Sequence, residues 1–272
     1  MRLVLAIAAC AVVSFAAVAP CRADDPPPPA TSVDLTTSSY GFSPGSVYGP
    51  WQFTTLQLRS VVGNDKPGLL FVTQTDHDGG AAESGTNFLL DDYHDWTPRF
   101  FTYVAAGAAS GTIFPTRSAN VEGNWNVHDG LVMGLGYGLY VNPDRTVQHF
   151  VSVGPTWYFN GGDVTLRYEP FWDFGYGGVP TYTFALTLGT EGLARRPVMK
   201  LEMQQGVEPQ FAVNAPGTVT PFNNRTFVAD LLGQYWIDSH FAYQFGFDYA
   251  RQIDVATHAT VYTRRGLTGG FI

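Results

Sequence analysis

The sequence predicts an all-β fold, an antiparallel transmembrane β-barrel of about fourteen strands, with twelve as the alternative count. Three observations predict it. Segments of about ten residues alternate apolar and polar side chains through most of the chain, as strands with two unlike faces do. Charged residues supply only 14% of the chain and aromatics 15%, with 30 glycines, whereas a soluble domain carries about 25% charge. No stretch beyond Ala23 reaches eighteen apolar residues, which excludes a helical span. A sheet placed in hydrocarbon must then close, because an open edge finds no hydrogen-bond partner there.

The N-terminus comes first. Arg2 precedes an apolar run from Leu3 to Ala19, followed by Pro20, Cys21, Arg22 and Ala23. A basic start, a short apolar centre and a small last residue read as a secretory signal peptide over residues 1–23, cleaved after Ala23. Pro20 argues against a lipoprotein beginning at Cys21. Both cysteines, Cys10 and Cys21, lie in this segment, so the mature chain offers no disulfide or thiolate metal site. Removing 23 of 272 residues leaves 249, with 13 basic and 23 acidic side chains and a net charge of −10. That balance excludes nucleic acid as a partner. Residues 24–30, DDPPPPA, form a stiff polar linker, and residues 31–272 form one outer-membrane barrel domain.

In chain order the expected strands are 31–42, 50–62, 68–77, 84–95, 99–110, 114–126, 130–141, 147–159, 162–174, 179–191, 196–206, 224–237, 239–252 and 257–272. Early in the chain Trp51 and Phe53 give way to Leu56 and Leu58, a parity switch that predicts a bulge near Thr54 and Thr55. Residues 86–96, TNFLLDDYHDW, show a mixed pattern. From Gly130 the alternation is regular: Leu131, Met133, Leu135, Tyr137, Leu139 and Val141 against Val132, Gly134, Gly136, Gly138 and Tyr140. Glycine at this density argues against a helix. The hairpin 149–174 carries Val151, Val153, Trp157 and Phe159, then Val164, Leu166, Tyr168 and Trp172, on one face. Asp163, Arg167, Glu169 and Asp173 lie on the other. Later strands repeat the scheme, with Phe184 and Leu186, Met199 and Met203, and Phe245 and Phe247 on the apolar side.

Connections sort by length. Tight turns follow the even-numbered strands, Asn160-Gly161 being suited to positive φ at both positions. Longer stretches follow the odd ones: 42–50, 77–85 and, longest, 207–223. Short turns at one end and long loops at the other are the pattern of outer-membrane barrels. Lipid then covers the apolar face, with Trp157, Phe159, Tyr168 and Trp172 in the aromatic girdles. The competing arrangement is a soluble β-sandwich with that face packed inward. Arg265 shares the outward parity of Val261, Leu267 and Phe271, so a register shift near Thr263, a position at the interface or a different alignment of the last strand is needed to accommodate it.

The segments LDDYHDWTPRFFTYVAAGAASG (90–111), VNPDRTVQHFVSVGPTWYFNGGDVTLRYEP (141–170) and the ending VYTRRGLTGGF (261–271) resemble the YaiO family of outer-membrane β-barrel proteins. The resemblance covers nearly all the mature chain. It implies fold and compartment, and carries over no catalytic or binding residue.

Three groups of residues bear on chemistry. Asp76, Asp78, Glu83, Asp91, Asp92 and Asp95, with His77 and His94, offer hard ligands for a divalent cation but match no calcium-loop spacing, and read as a solvated loop plus lumen-facing strand ends. The expected lumen-lining set is Arg59, Arg167, Glu169, Asp173, Lys200, Glu202, Asp230 and Asp248, whose five acids and three bases predict a mild cation preference if water passes. Ser239 with His240, and Ser152 with His149, differ in parity and cannot form a nucleophile–base pair, and no G-x-S-x-G elbow is present. The chain is therefore expected not to be an enzyme and to use no cofactor. The leading function is a passive narrow channel or conduit for small solutes or envelope glycans. A structural or adhesive module displaying 207–223 is the alternative, and a lipid hydrolase comes after that. Expected partners are outer-membrane lipids and, during biogenesis, the barrel-assembly machinery. The expected location is the bacterial outer membrane, reached by export through the inner membrane with removal of the signal peptide.

Overall fold

A computed structural model of the chain describes residues 31–43, 46, 48–78, 81–143, 145–173, 176–188, 198–206, 224–238, 240–254 and 257–272. The signal-peptide and linker segments, the 207–223 loop and Ser239 lie outside the described residues. The fourteen strands are β1 (Thr31–Phe42), β2 (Tyr48–Ser60), β3 (Asp65–Asp78), β4 (Ala81–Thr97), β5 (Phe100–Gly111), β6 (Arg117–His128) and β7 (Leu131–Val141), then β8 (Val147–Phe159), β9 (Gly162–Asp173), β10 (Tyr176–Leu188), β11 (Val198–Gly206), β12 (Asn224–Trp236), β13 (Ala242–Asp254) and β14 (Thr260–Phe271). Each pairs antiparallel with its sequence neighbours, and β14 pairs with β1 to close the ring. Closure removes every free edge. The count is fourteen, not twelve, and a single closed sheet replaces the two layers of a sandwich.

The two faces separate as alternation requires. Leu135, Tyr137, Val153, Trp157, Phe159, Leu166 and Tyr168 are exposed on the outer surface, as are Tyr243, Phe245, Phe247, Leu267 and Phe271. Inward positions on the same strands are buried and mostly polar, among them Ser152, Thr156, Thr165, Arg167, Asp248 and Arg264. The apolar belt sits toward the tight turns. On the loop side, the outer positions of β1 and β2 become Thr37, Ser39, Gly41, Gln52 and Thr54, so these strands project past the belt.

Several local expectations change. β2 has no bulge at Thr54 and Thr55, which pair in unbroken register with both neighbours. The irregularity lies between Tyr48 and Trp51. Trp51 and Phe53 share the inward face with Gln57, and only Leu56 and Leu58 point outward. The apparent parity switch arises because this part of the interior is itself apolar. The connection expected at 77–85 is mostly strand, since β3 runs to Asp78 and β4 begins at Ala81. In the β8–β9 turn Gly161 takes φ +103°, while Asn160 stays outside the left-handed region. Around Arg265 the pairing with β13 is continuous from Tyr262 to Phe271, the one shift falling between Gln252 and Ile253. No shift at Thr263 rescues Arg265, which faces outward.

Candidate functional site in the barrel interior

Long side chains cross the interior by passing over glycines. Arg167 on β9 reaches Glu122 on β6 at 3.1 Å, with β7 and β8 between them. Its Nη1 donates to the Gly154 carbonyl on the way, at 2.5 Å. A Cβ at Gly134 would stand 2.9 Å from both Arg167 Nη2 and Glu122 Oε1, so the bare backbone there is what lets the bridge lie flat. Arg59 on β2 meets Asp91 on β4 at 3.5 Å across Gly68 of β3, where a Cβ would come within 2.5 Å of Asp91 Oδ1. A Gly68→Ala variant is therefore expected to push Asp91 off its partner and cost about 1–3 kcal/mol as overpacking does, read as a lower urea midpoint for the folded barrel. An unchanged midpoint would show that the carboxylate has room to move.

A third group spans four strands. Glu202 on β11 pairs in register with Asp230 on β12, Asp230 with Asp248 on β13, and Asp248 with Gly266 on β14. Three carboxylates thus lie side by side on the inner face. Lys200 approaches Glu202 at 3.6 Å at one end. At the other, Arg264 donates from Nε to Asp248 Oδ1 at 3.0 Å and from Nη2 to Oδ2 at 3.2 Å, a bidentate fork. Only 1% of Arg264 is exposed. Its guanidinium lies 4.9 Å from the Tyr40 ring and 5.5 Å from the Trp51 ring, so charge pairing and two aromatic faces share the task of holding one buried cation. Tyr40 itself lies across Gly266, where a Cβ would be 2.3 Å from the ring.

The expected lumen residues thus fall into separate groups. Arg59 joins Asp91, Arg167 joins Glu122 on β6, and Lys200, Glu202, Asp230 and Asp248 form one row. Glu169 faces inward beside Ser152. The Asp173 side chain lies outside the described part. Sequence reasoning missed Arg264, Glu122 and Asp34 as interior groups. Inward parity alone would have found Arg264 and Glu122, because each alternates with an outward apolar residue, Leu267 and Val121. Interior carboxylates outnumber interior cations among the described residues, with Asp34, Asp163, Glu169 and Asp230 standing in addition to the four that pair.

The wall opposite the acidic row is apolar. Phe53, Leu70 and Val72 on β2 and β3 pack against Ile113 and Phe114, with Leu89 of β4 alongside. The β5–β6 connection that carries Ile113 and Phe114 folds back into the barrel mouth, and both residues are buried. Between the two walls lies a cavity of about 290 Å³, lined by Phe53, Leu70, Val72 and Phe114 on one side and by Lys200, Glu202, Asp230 and Asp248 on the other.

The other candidate groups do not form sites of comparable definition. The acidic and histidine residues of β3 and β4 divide between the two barrel ends. At the turn end Asp65, Asp92 and His94 approach within 4.8 Å of one another. Lys66 already brings positive charge there, its backbone N–H donating to Asp92 and its Nζ to Asp95. His149 bonds the Tyr137 hydroxyl on the outer face while Ser152 is buried inside, so that pair is separated by the sheet. His240 is exposed at the β12–β13 turn, beside Asp238.

A closed fourteen-stranded ring with an apolar outer belt and an ion-paired interior defines an outer-membrane β-barrel. Its shape is similar to the CymD monoaromatic hydrocarbon channel, with a TM-score of 0.59 and 7% identity over 89% of this chain and 87% of that one. It is also similar to the P. putida toluene transporter TodX, with a TM-score of 0.52 and 8% identity over 90% of each chain. These are likenesses of fold. Residues 30–211 match the YaiO membrane beta barrel domain, and the chain belongs to that family. No curated protein sequence matches it.

Proposed function

We propose that this barrel is a passive, narrow channel for small solutes with a preference for cations. The observation that carries the reading is the interior cavity, pinched between the buried Ile113–Phe114 turn and the row Glu202, Asp230 and Asp248. A solute passing there meets a low-polarity surface on one side and an excess of carboxylate on the other. Rings of acidic side chains favour cations through such constrictions, and poor screening inside a narrow lumen strengthens the effect. Delivery fits the same picture: export across the inner membrane with loss of residues 1–23, then insertion by the barrel-assembly machinery into outer-membrane lipid.

Reversal potentials in planar bilayers under a potassium chloride gradient test the reading. The wild-type channel is expected to favour potassium over chloride. The Glu202→Gln and Asp230→Asn double variant is expected to move the reversal potential toward zero while leaving the channel conducting. A purified, inserted barrel that passes no current, or that shows the same selectivity in both forms, would remove the proposal.

A further inference from the structure

Among the described residues the interior arginines are paired with carboxylates, whereas three arginines on the outer face of the adjacent strands β12 to β14 are not. Arg225 on β12, Arg251 on β13 and Arg265 on β14 point outward, and no carboxylate pairs with any of them among the described residues. Arg251 is held by the Thr260 hydroxyl, which accepts from its Nε at 3.3 Å and its Nη2 at 2.7 Å. That contact fixes the side chain without neutralising it.

Register places the three in a line. Arg251 pairs across with Phe227 on one side and with Thr263 on the other. Arg225 and Arg265 are each two residues from those partners, so both are diagonal neighbours of Arg251, with about 7–8 Å per diagonal step. Strand tilt brings this diagonal nearer to the membrane plane. One hydrogen-bonded row runs from Tyr243 through Phe271, Leu35, Leu56 and Phe71. Tyr243 and Phe271 lie at the turn end of their strands, Leu35 is fifth along β1 and Phe71 seventh along β3, so rows climb toward the loops from β13 to β3. A line parallel to the membrane therefore steps toward the loops in the other direction, from β14 through β13 to β12, as Arg265, Arg251 and Arg225 do.

This line marks the upper boundary of the apolar belt. Below it the outer face of the same strands presents Leu231, Phe245, Phe247 and Leu267, the last 68% exposed. Beyond it the neighbouring β1 surface turns to Ser39 and Gly41. Arg265 thus sits at the interface on the loop side, where an outward arginine is tolerated far better than at mid-bilayer. A row of guanidinium groups without carboxylate partners above a surface for acyl chains has the chemistry of an anionic lipid site, because arginine forks match phosphate oxygens.

We propose that Arg225, Arg251 and Arg265 bind the headgroup of a phosphorylated glycolipid of the outer leaflet, with its acyl chains on Phe245, Phe247, Leu231 and Leu267. The spread decides against a single phosphodiester. Two diagonal steps span about 15 Å, more than one phosphate bridges, so a headgroup carrying two separated phosphates is the better match. The loop end is the outer side in barrels of this type, which places the site in the leaflet that holds such glycolipids.

Native mass spectrometry of the folded barrel in detergent tests this, with bisphosphorylated lipid A, monophosphorylated lipid A, phosphatidylglycerol and inorganic phosphate as probes. Bisphosphorylated lipid A is expected to bind most tightly. The triple variant Arg225→Gln, Arg251→Gln and Arg265→Gln is expected to weaken it at least about tenfold, the least that one lost charge-assisted hydrogen bond would give. Arg117→Gln, on the outer face of β6, is expected to leave binding unchanged. Heat-dependent gel mobility confirms folding of each variant, and Arg251→Gln alone, expected to show a smaller loss, serves if the triple variant does not fold. Equal binding of phosphatidylglycerol would reduce the site to a generic acidic-lipid surface and overturn the proposal. So would displacement by inorganic phosphate, or undiminished binding by the folded variants.

Discussion

Replacing Arg264 by glutamine is expected to destabilise the folded barrel by about 3–5 kcal/mol, because it strands buried charge that has no other counter-ion so close. Arg264 is the cation at the crowded end of the row Glu202, Asp230 and Asp248, and among the described residues it is the one that bonds Asp248 through both oxygens. The effect is asymmetric. Asp248→Asn leaves Arg264 with Asp230 in the adjacent position and with the rings of Tyr40 and Trp51, so its cost is expected to be nearer 1–3 kcal/mol, that of a perturbed buried polar group. The double variant should fall well short of the sum of the two, since both changes report on one pair. Urea midpoints of the barrel in detergent, with gel mobility as the folding readout, give all three values. Equal losses for the two single variants would show that the row does not depend on Arg264 as described.

Phe114→Ala is expected to release the inward-folded β5–β6 turn and raise single-channel conductance. The side chain is buried among Phe53, Leu70, Val72 and Ile113, and loss of a buried phenylalanine costs about 3–5 kcal/mol where the surroundings cannot collapse. Neighbouring strands are held by their own hydrogen-bond ladders, so the barrel stays closed and the loss falls on the turn. Thr112 donates to Glu83 at 2.8 Å, a tether that keeps one end of the turn on β4. The expected record is a larger and noisier current with nearly unchanged ion preference, because the acidic row is untouched. A variant with wild-type conductance would place the narrow point of the channel elsewhere.

Much of the architecture was legible in the sequence because a strand with lipid on one side and a lumen on the other repeats every two residues. From Gly130 onward that contrast is sharp, and the expected bounds of β7 and β8 agree with the observed ones to within one residue. It fails where the lumen is itself apolar. Phe53, Leu70, Val72 and Leu89 face inward to meet Ile113 and Phe114, so alternation alone made β2 look bulged and β4 look mixed. The β3–β4 connection differs for another reason: Gly, Ala and Ser favour turns in isolation, but β4 already begins at Ala81 and runs through Gly85.

Parity sorts charged residues by face but does not say which of them pair. Parity places Arg167 and Glu169 on one face, yet Arg167 meets Glu122, which is 45 positions away and reachable only over Gly134 and Gly154. Nothing in spacing marks a glycine as the floor of an ion pair. Arg264 and Arg265 show the same limit. Attention falls on Arg265 because its outward position looks costly, while Arg264, next to it and turned inward, does more to hold the structure together.

The hydrogen bond between Ser38 and Thr268 joins positions 230 apart, and this has a kinetic consequence. Adjacent hairpins can form locally and fast, but the last ladder waits for the whole ribbon to curl, and until then both terminal strands offer unsatisfied edges prone to wrong pairing. Contacts made only at that final step act on unfolding more than on folding. Arg264 reaches from β14 to rings on β1 and β2, so it works as a bolt thrown after the door has shut: it sets how long a finished ring survives, and has little influence on how quickly one is made.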